Sequence, residues 1–303
     1  MKTRKGVKAF LTISRANIQI GTLPHATLGM FLGANSYQNL FDWSVLIYIL
    51  LYFTLITFAC NLNCLYDRDV DRHYKSSLFH AIEVLGIKRV KILIFLELVL
   101  SSLLISLLYM RGHLITTILS LLGLFLGYIY SAAPPRIKAK GLFSPFPVLI
   151  GLYMFPLLGG WFLFENYFTA YFILFVIGYA FMNEGFTLVN MCEDYCEDEK
   201  EGIRTWAHVF GIKNTLAIAN FFTAFGYLCF FSLLFIFLNL NAFLAILFLF
   251  IFIFTLTRSL KDVLNAFHAK NPQESSKKYG KKMPLWFVIT RYPLFFATLL
   301  AMI

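Results

Sequence analysis

The sequence NCLYDRDVDR, residues 63–72, closes a long apolar stretch with three evenly spaced polar residues, Asn63, Asp67 and Asp71. The same spacing returns in NMCEDYCED, residues 190–198, which closes a second apolar stretch. Residues four apart on an α-helix lie about 40° apart around the axis, so each set shares one helix face. The two sets therefore predict long apolar helices with matching polar ends. The second set consists of Asn190, Asp194 and Asp198.

The composition excludes a soluble globular protein. Of the 303 residues, 59% are hydrophobic and 14% are charged, and the mean hydropathy is +0.72. Soluble domains carry about 25% charged residues, and so much apolar surface also excludes a disordered chain. The apolar stretches are continuous and about 20 residues long, which is typical of membrane-spanning helices and not of outer-membrane barrels. We therefore predict an all-α integral membrane protein.

Nine apolar stretches are candidate membrane spans. They cover residues 17–35, 43–66, 91–110, 114–132, 146–164, 168–192, 215–238, 241–257 and 284–303. In a chain that crosses at each of them, every Lys and Arg except Arg111 and Arg291 falls on one face. Basic connections mark the cytoplasmic side. The net charge of +10 thus indicates basic loops and not nucleic-acid binding, and we expect the N-terminus and the mouth of the site in the cytoplasm.

The matching polar sets also predict an internal repeat. The second set lies four spans after the first, and an even offset means that both halves enter the membrane in the same orientation. This favours a parallel duplication of a four-helix unit, followed by a ninth helix. We expect a single polytopic domain over residues 1–303, with cytoplasmic cap connections at about 67–90, 199–213 and 258–282.

The residue types in the two sets point to a metal and a phosphate. Carboxylates at the end of a membrane span are costly and need cations or other partners. Facing each other, the two sets offer four carboxylates and two amides. Mg²⁺ binds oxygen ligands and commonly joins protein carboxylates to substrate phosphates. The pattern therefore predicts that a diphosphate substrate is held through Mg²⁺ at the cytoplasmic surface.

In these two motifs and in the segment between them, the chain resembles the UbiA superfamily of intramembrane prenyltransferases. Three stretches carry the resemblance, in the family's order. They are NCLYDRDVDR (63–72), YSAAPPRIKAKG (130–141) and NMCEDYCEDEKEGIRTWAHVFG (190–211). The resemblance implies nine helices around a central cavity that opens to lipid, Mg²⁺-dependent ionisation of a prenyl diphosphate, and transfer of the prenyl group to an acceptor.

The resemblance assigns the metal ligands by position. Asn63, Asp67 and Asp71 match the first motif of the family, and Asp194 and Asp198 match the second. The sequence also departs from the family. Many members have an Arg-Pro pair soon after the first motif, where this chain reads HYKSS, and many open the first span with Arg-Pro, where Ala follows Arg. These departures bear on the acceptor and on the prenyl chain length. The remaining position of the second set is Asn190, where many members have an amide or an acid.

Further side chains are candidates for the chemistry that the resemblance implies. Two Mg²⁺ ions and nearby cations would neutralise the leaving diphosphate, which is the largest catalytic contribution expected. The ring of Tyr130 would stabilise an allylic carbocation, inside a cavity that excludes water. Arg15 and Asn17 open the first span and would line the cavity. The candidate cations are Arg72, Lys138, Lys140 and Arg204.

The sequence leaves three classes of acceptor possible. A quinone-precursor aromatic is the first choice, because most of the superfamily acts on aromatic rings. A glycerol-phosphate ether lipid and a haem-type acceptor fit the same chemistry. A rival from another class is an ion-coupled transporter, since intramembrane acids and internal repeats also mark carriers. Carriers place their charged site near the bilayer midplane, however, whereas both acidic sets here lie at the cytoplasmic ends of their helices.

Overall fold

The computed structural model of the protein describes residues 2–34, 36–240 and 242–300. Within those ranges the secondary structure consists of helices joined by turns and loops, and no strand forms. An isolated backbone bridge pairs Lys140 with Arg204 in parallel. The first helices, up to the middle of the chain, are α1 Lys2–Ile13, α2 Ala16–Gly33, α3 Trp43–Tyr66, α4 Arg68–Tyr74, α5 Ser76–Leu85, α6 Ile87–Met110 and α7 Leu114–Ser131.

The second half of the chain begins with an irregular section. Two short 3₁₀ turns, Ile137–Ala139 and Gly141–Phe143, lead into a π-helical segment, Val148–Met154. An earlier 3₁₀ turn, Tyr37–Phe41, joins α2 to α3. The helices that follow are α8 Phe155–Trp161, α9 Ala170–Glu193, α10 Tyr195–Lys200, α11 Trp206–Phe210, α12 Ile212–Leu240, α13 Ala242–His268, α14 Pro272–Gly280 and α15 Met283–Leu300.

The prediction of an all-α integral membrane protein is confirmed. In the described ranges, helices overlap every predicted apolar stretch. Among the described residues, six helical segments are long and apolar enough to cross a membrane by length and composition. Their outer faces leave large apolar side chains bare, among them Met110, Phe243 and Phe250 at 70%, 72% and 70% exposure. Such a surface is unfavourable in water and suits contact with lipid.

Close helix packing holds the second acidic motif in place. The helices α9 and α12 pack along each other more extensively than any other pair of described elements. A Cβ atom on Gly226 would lie 2.5 Å from the carbonyl oxygen of Gly178 and 2.6 Å from the amide nitrogen of Met182. The two backbones are therefore in direct contact, as small residues allow between membrane helices. This packing fixes α9, which carries the second motif at its C-terminal end.

Short helices gather around the ends of α3 and α9. The helix α1 packs on α5, where Ala9 and Ile13 share an apolar cluster with Ile82. The helix α14 packs against α9. These elements fall in the N-terminal segment and in two of the predicted cap connections, and they surround the two acidic motifs.

Candidate active site

Both acidic motifs have the same backbone arrangement. The helix α3 ends at Asp67 with φ −94° and ψ 4°, and α9 ends at Asp194 with φ −84° and ψ 3°. A short helix follows each, so the motif is not one unbroken helix. The spacing survives because the hydrogen bonds between residues four apart continue across the break. The amide of Asp71 donates to the carbonyl of Asp67 at 2.7 Å, and that of Asp198 donates to Asp194 at 2.8 Å.

The first motif is tied to the 132–140 segment by two cations. Arg136 donates from Nη2 to Oδ1 of Asp67 at 2.9 Å, and Lys138 donates to Oδ2 of the same carboxylate. Lys138 also donates to Oδ1 of Asn63 at 2.9 Å, which accepts from the Ser131 hydroxyl at 3.1 Å as well. Asp67 and Lys138 are both buried, at 8% and 9% exposure. The first Asp of this motif is therefore neutralised within the protein.

The second Asp of the first motif has free coordination capacity. Asp71 is 5% exposed, and its Oδ2 is buried without a hydrogen-bond partner among the described residues. Burial, and then the neighbouring charge of Asp67, raise the pKa of Asp71 to about 6. Both effects penalise the ionised form, and a bound cation would favour it.

The second motif is more open than the first. Asp194 has a side chain that is 32% exposed, and it meets the ammonium group of Lys75 at 3.4 Å. Burial, and then the charge of Asp194, raise the pKa of Asp198 to about 7. The helix α14 covers this motif from outside, since Lys277 forms a 2.9 Å ion pair with Glu197.

One ion pair and several electrostatic interactions link the two motifs. Lys75 follows the first motif directly, so its contact with Asp194 of the second joins the two. The charge of Asp67 adds to the raised pKa of Asp198, and the charge of Lys138 opposes it. Carboxylates of both motifs therefore lie within electrostatic range of one another and of the same lysines. The arrangement is a ring of acids with basic side chains between them.

Two further predicted residues lie beside this ring. Tyr130, in the last turn of α7, interacts electrostatically with Asp67, Asp198 and Arg15. Arg15 has a left-handed backbone, φ 50° and ψ 45°, at the junction of α1 and α2. It interacts electrostatically with Asp71 and with Tyr130. Both side chains are thus grouped with the acidic motifs.

Three other predicted cations form no ion pair with the acidic motifs among the described residues. Arg72 is exposed and stacks over the ring of Phe79 at 5.8 Å. Lys140 and Arg204 are exposed as well. Their segments are joined by the backbone, since the amide of Gly141 donates to the carbonyl of Arg204 at 2.7 Å. This bridge ties the 136–144 segment to the chain after the second motif.

Of the two remaining predicted amides, the structure describes the side chain of one. Asn190 is exposed at the end of α9, and its Oδ1 would lie 3.6 Å from a Cβ atom on Gly280 of α14. It therefore faces the covering helix. Asn17 belongs to α2, but its side chain lies outside the described residues.

Two cations of the ring were missed in the sequence. Arg136 binds Asp67, and it lies inside the quoted stretch YSAAPPRIKAKG, two residues before the lysine that was chosen. Lys75 binds Asp194, and it lies where the family's Arg-Pro pair is absent. The sequence signal for Lys75 is that a basic residue follows soon after the first motif.

The donor set fits Mg²⁺ that is shared with a phosphate. In the part of the chain that the structure describes, no three His, Cys, Asp or Glu side chains are grouped closely enough to hold a metal ion by themselves. Mg²⁺ does not require such a cage, because it is commonly bound by one or two carboxylates, water and substrate phosphates. The unpartnered Oδ2 of Asp71 is an oxygen of this kind.

The chain belongs to the UbiA prenyltransferase family, whose profile matches residues 22–288. Members of this family are intramembrane prenyltransferases, so the chain is an enzyme of that class and not a transporter. A search of the curated proteins finds no significant match.

Solved structures share the fold over nearly the whole chain. A UbiA homologue from Archaeoglobus fulgidus bound to DMAPP and Mg²⁺ has a TM-score of 0.73 and 18% identity, covering 97% of this chain and 98% of that one. Its complex with GPP and Mg²⁺ has a TM-score of 0.68 and 19% identity, over 94% and 99%. A structure of digeranylgeranylglyceryl phosphate synthase has a TM-score of 0.64 and 18% identity, over 97% and 98%.

Proposed function

We propose that the protein catalyses Mg²⁺-dependent transfer of an isoprenyl group from a prenyl diphosphate to a lipophilic acceptor. The observation that carries this proposal is the ring in which the two acidic motifs face each other with lysines between them. The Archaeoglobus fulgidus homologue, which shares the fold, binds DMAPP and Mg²⁺, and this supports the same substrate class here. The metal ligands would be Asn63, Asp67, Asp71, Asn190, Asp194 and Asp198, holding two ions.

The cations of the ring would change partners when the substrate binds. Bound Mg²⁺ would supply positive charge to the leaving diphosphate. Lys138, Arg136 and Lys75 now neutralise Asp67 and Asp194, and they would turn to the diphosphate oxygens once the metal takes the carboxylates. Lys140 and Arg204, which are exposed, would meet the diphosphate at the cytoplasmic entrance, and Arg72 would add to the positive field there.

The reacting carbon would lie on the membrane side of the ring. As the bond between C1 and the diphosphate oxygen breaks, the ring of Tyr130 would stabilise the allylic cation. Arg15 and Asn17 would line the same space. The acceptor then forms a bond to C1 and loses a proton. The surrounding apolar helices would exclude water, which would otherwise capture the cation.

The membrane arrangement follows from the same proposal. We infer nine membrane spans around a central cavity open to lipid, in one domain over residues 1–303, with the N-terminus and the diphosphate site in the cytoplasm. The matching backbone angles at Asp67 and Asp194 support a duplicated four-helix unit. The connections 67–90, 199–213 and 258–282 would form a cytoplasmic cap.

For the acceptor we propose a quinone-precursor aromatic, which would place the enzyme in quinone biosynthesis. A glycerol-phosphate ether lipid or a haem-type compound are the alternatives. The synthase that shares this fold makes the glycerol-phosphate acceptor a necessary part of any test.

Product analysis tests the proposal. The purified protein in lipid nanodiscs is incubated with Mg²⁺, prenyl diphosphates of several lengths, and aromatic, glycerol-phosphate or haem acceptors, and the products are followed by mass spectrometry. We expect a prenylated product that disappears with chelator and in Asp67→Asn and Asp194→Asn. A protein that neither forms a product nor binds any prenyl diphosphate with Mg²⁺ would contradict the proposal.

A further inference from the structure

A second group of polar side chains lies deeper in the helix bundle than the acidic ring. We name it the mid-bundle polar cluster, and it consists of His25, Tyr153, Thr187 and Glu184. Glu184 is ten residues before Asp194 on α9, which places it about 15 Å further along the helix axis. The prenyl-transfer chemistry described above uses none of these four residues.

Glu184 is the unusual member of this cluster. It is 1% exposed, and both of its carboxyl oxygens are buried without a hydrogen-bond partner among the described residues. Buried polar groups are almost always paired, because an unpaired one costs roughly 2–7 kcal/mol relative to water. An acid in this setting calls for a partner that the described residues do not supply.

A second unpaired group lies beside Tyr153. His25 is fully buried, and its Nδ1 pairs with the hydroxyl of Tyr179 at 2.5 Å. The Nε2 of His25 has no partner within the described ranges. The His25 ring meets the edge of Tyr153 with 5.2 Å between centroids. Tyr153 also interacts electrostatically with Glu184, so two buried unpaired groups flank one tyrosine.

The backbone around Tyr153 is also exceptional. Tyr153 lies in the π-helical segment Val148–Met154, and its hydroxyl bonds that of Thr187 on α9 at 2.7 Å. Wide helical turns of this kind are frequent at functional sites. Glu184 also interacts electrostatically with Tyr130 beside the acidic ring. The cluster is therefore next to the reaction site and on its membrane side.

The chemistry of the cluster selects its ligand. A prenyl chain is a hydrocarbon and cannot pair with a carboxyl group or with a histidine nitrogen. A phosphate would bring its own negative charge into a medium of low dielectric constant, where burying a charge without a counter-charge is costly. A hydroxyl group both donates and accepts hydrogen bonds, as carboxyl and imidazole groups require. The nearby cation Arg291 already donates to Oδ1 of Asn183 at 2.9 Å and to the carbonyl of Gly21 at 2.8 Å.

We propose that the mid-bundle polar cluster binds the hydroxyl group of an uncharged lipophilic acceptor, and that Glu184 selects acceptors that carry this hydroxyl. The inference rests on the proposed prenyl transfer. The acceptor would then lie between the cluster and C1 of the prenyl diphosphate, past Tyr130. This favours a hydroxylated aromatic acceptor over one that carries a phosphate.

A binding comparison tests the assignment without requiring turnover. The full-length protein in nanodiscs, loaded with Mg²⁺ and geranyl diphosphate, is titrated with 1-naphthol and with its methyl ether, 1-methoxynaphthalene. In the ether a methyl group replaces the hydroxyl hydrogen, so the ether cannot donate a hydrogen bond. Its binding corrects for partition into lipid. We expect the wild-type protein to bind 1-naphthol about tenfold more tightly, the usual effect of one buried hydrogen bond.

Variants assign the preference to the residue. We expect Glu184→Gln to keep the preference, since an amide also donates and accepts, and Glu184→Leu to lose it. The matched control is Glu97→Leu, which removes a buried acid of α6 that accepts from Asn61 at 2.6 Å, and it should keep the preference. Binding of geranyl diphosphate with Mg²⁺ should be unchanged in all three variants, which verifies that they fold.

The outcomes separate the two proposals. A wild-type protein with no preference for 1-naphthol, whether from equal binding or from none, would overturn the assignment, and so would a Glu184→Leu protein that keeps the preference. If the Glu184→Leu variant does not fold, the Glu184→Gln variant decides the question. A Glu184→Gln protein without the preference for 1-naphthol would overturn the assignment. Failure of geranyl diphosphate to bind with Mg²⁺ in the wild-type protein would overturn the proposed function itself.

Discussion

The two acidic motifs share a sequence pattern and a backbone but differ in their surroundings. Asp67 and Asp194 end their helices with nearly the same φ and ψ. Asp67 is buried and binds two cations, Arg136 and Lys138. Asp194 is a third exposed and meets Lys75 at the longer distance of 3.4 Å. The local sequence thus determines the shape of each motif, whereas the connections packed around it determine its electrostatics.

This difference divides the site into a closed half and an open half. The first motif is held to the 132–140 segment by two cations. Among the described residues, Asp194 of the second motif pairs with one cation, the partly exposed Lys75, and α14 packs against this motif. We therefore expect changes in the first motif to affect both stability and activity, and equivalent changes in the second to affect activity alone.

The largest effect is expected for Asp67→Asn. The substitution removes a proposed metal ligand and leaves Arg136 and Lys138 without their counter-charge. Breaking one side of a buried ion pair is strongly destabilising, and we expect a loss of at least about 2 kcal/mol in the free energy of unfolding. Prenyl transfer should fall by at least about 1,000-fold. Denaturant unfolding and product formation are measured together, and unchanged stability would contradict the closed first half.

The second largest effect is expected for Asp194→Asn. Activity should fall by at least about 100-fold, because a proposed metal ligand is lost. Stability without Mg²⁺ should change by less than about 1 kcal/mol, the usual range for an exposed pair. The same two measurements apply. A loss of stability as large as that of Asp67→Asn would remove the distinction between the halves.

A smaller difference is expected between two lysines. Lys138 is buried against two oxygens of the first motif, and Lys75 is half exposed. We expect Lys138→Met to raise the KM for the prenyl diphosphate about tenfold or more, and Lys75→Met to raise it less, because burial strengthens electrostatic interactions. Steady-state kinetics gives the KM of each variant. A larger increase in KM for Lys75→Met than for Lys138→Met would contradict this expectation.

The smallest effect is expected for Gly280→Ala. The new methyl group would overlap Oε2 of Glu193, but that atom is the end of a flexible side chain and can move aside. We therefore expect activity and melting temperature to stay close to wild type, with activity within about threefold. A larger loss would indicate that α14 is rigidly coupled to the second motif.

Much of the fold was readable from the sequence because lipid imposes simple rules. Apolar length and hydropathy predicted helices that overlap every candidate span. The break in the fifth stretch was missed, since the change from the π-helical segment Val148–Met154 to α8 has no periodic signature. The short cap helices were predicted only as connections, because tertiary packing and not propensity stabilises such short elements.

The acidic motifs were readable for a different reason, namely their repeated spacing. The cations were harder to assign, because every basic connection on one face is a candidate. The sequence predicts Lys138, which binds Asp67, but it does not predict Arg136, which also binds Asp67, or Lys75, which binds Asp194. Arg136 reaches Asp67 from a left-handed backbone position, φ 48°, which spacing alone does not reveal. Arg72 was chosen for its position in the motif, but it turns outward onto Phe79.

The central claim is that the two motifs together hold a diphosphate through Mg²⁺. The most direct measurement is the melting temperature of the full-length protein with geranyl diphosphate alone, with Mg²⁺ alone, and with both. We expect clear stabilisation when both are present, little with either one, and none with both in Asp67→Asn or Asp194→Asn. Equal stabilisation by geranyl diphosphate in the presence of a chelator, or in either variant, would contradict it.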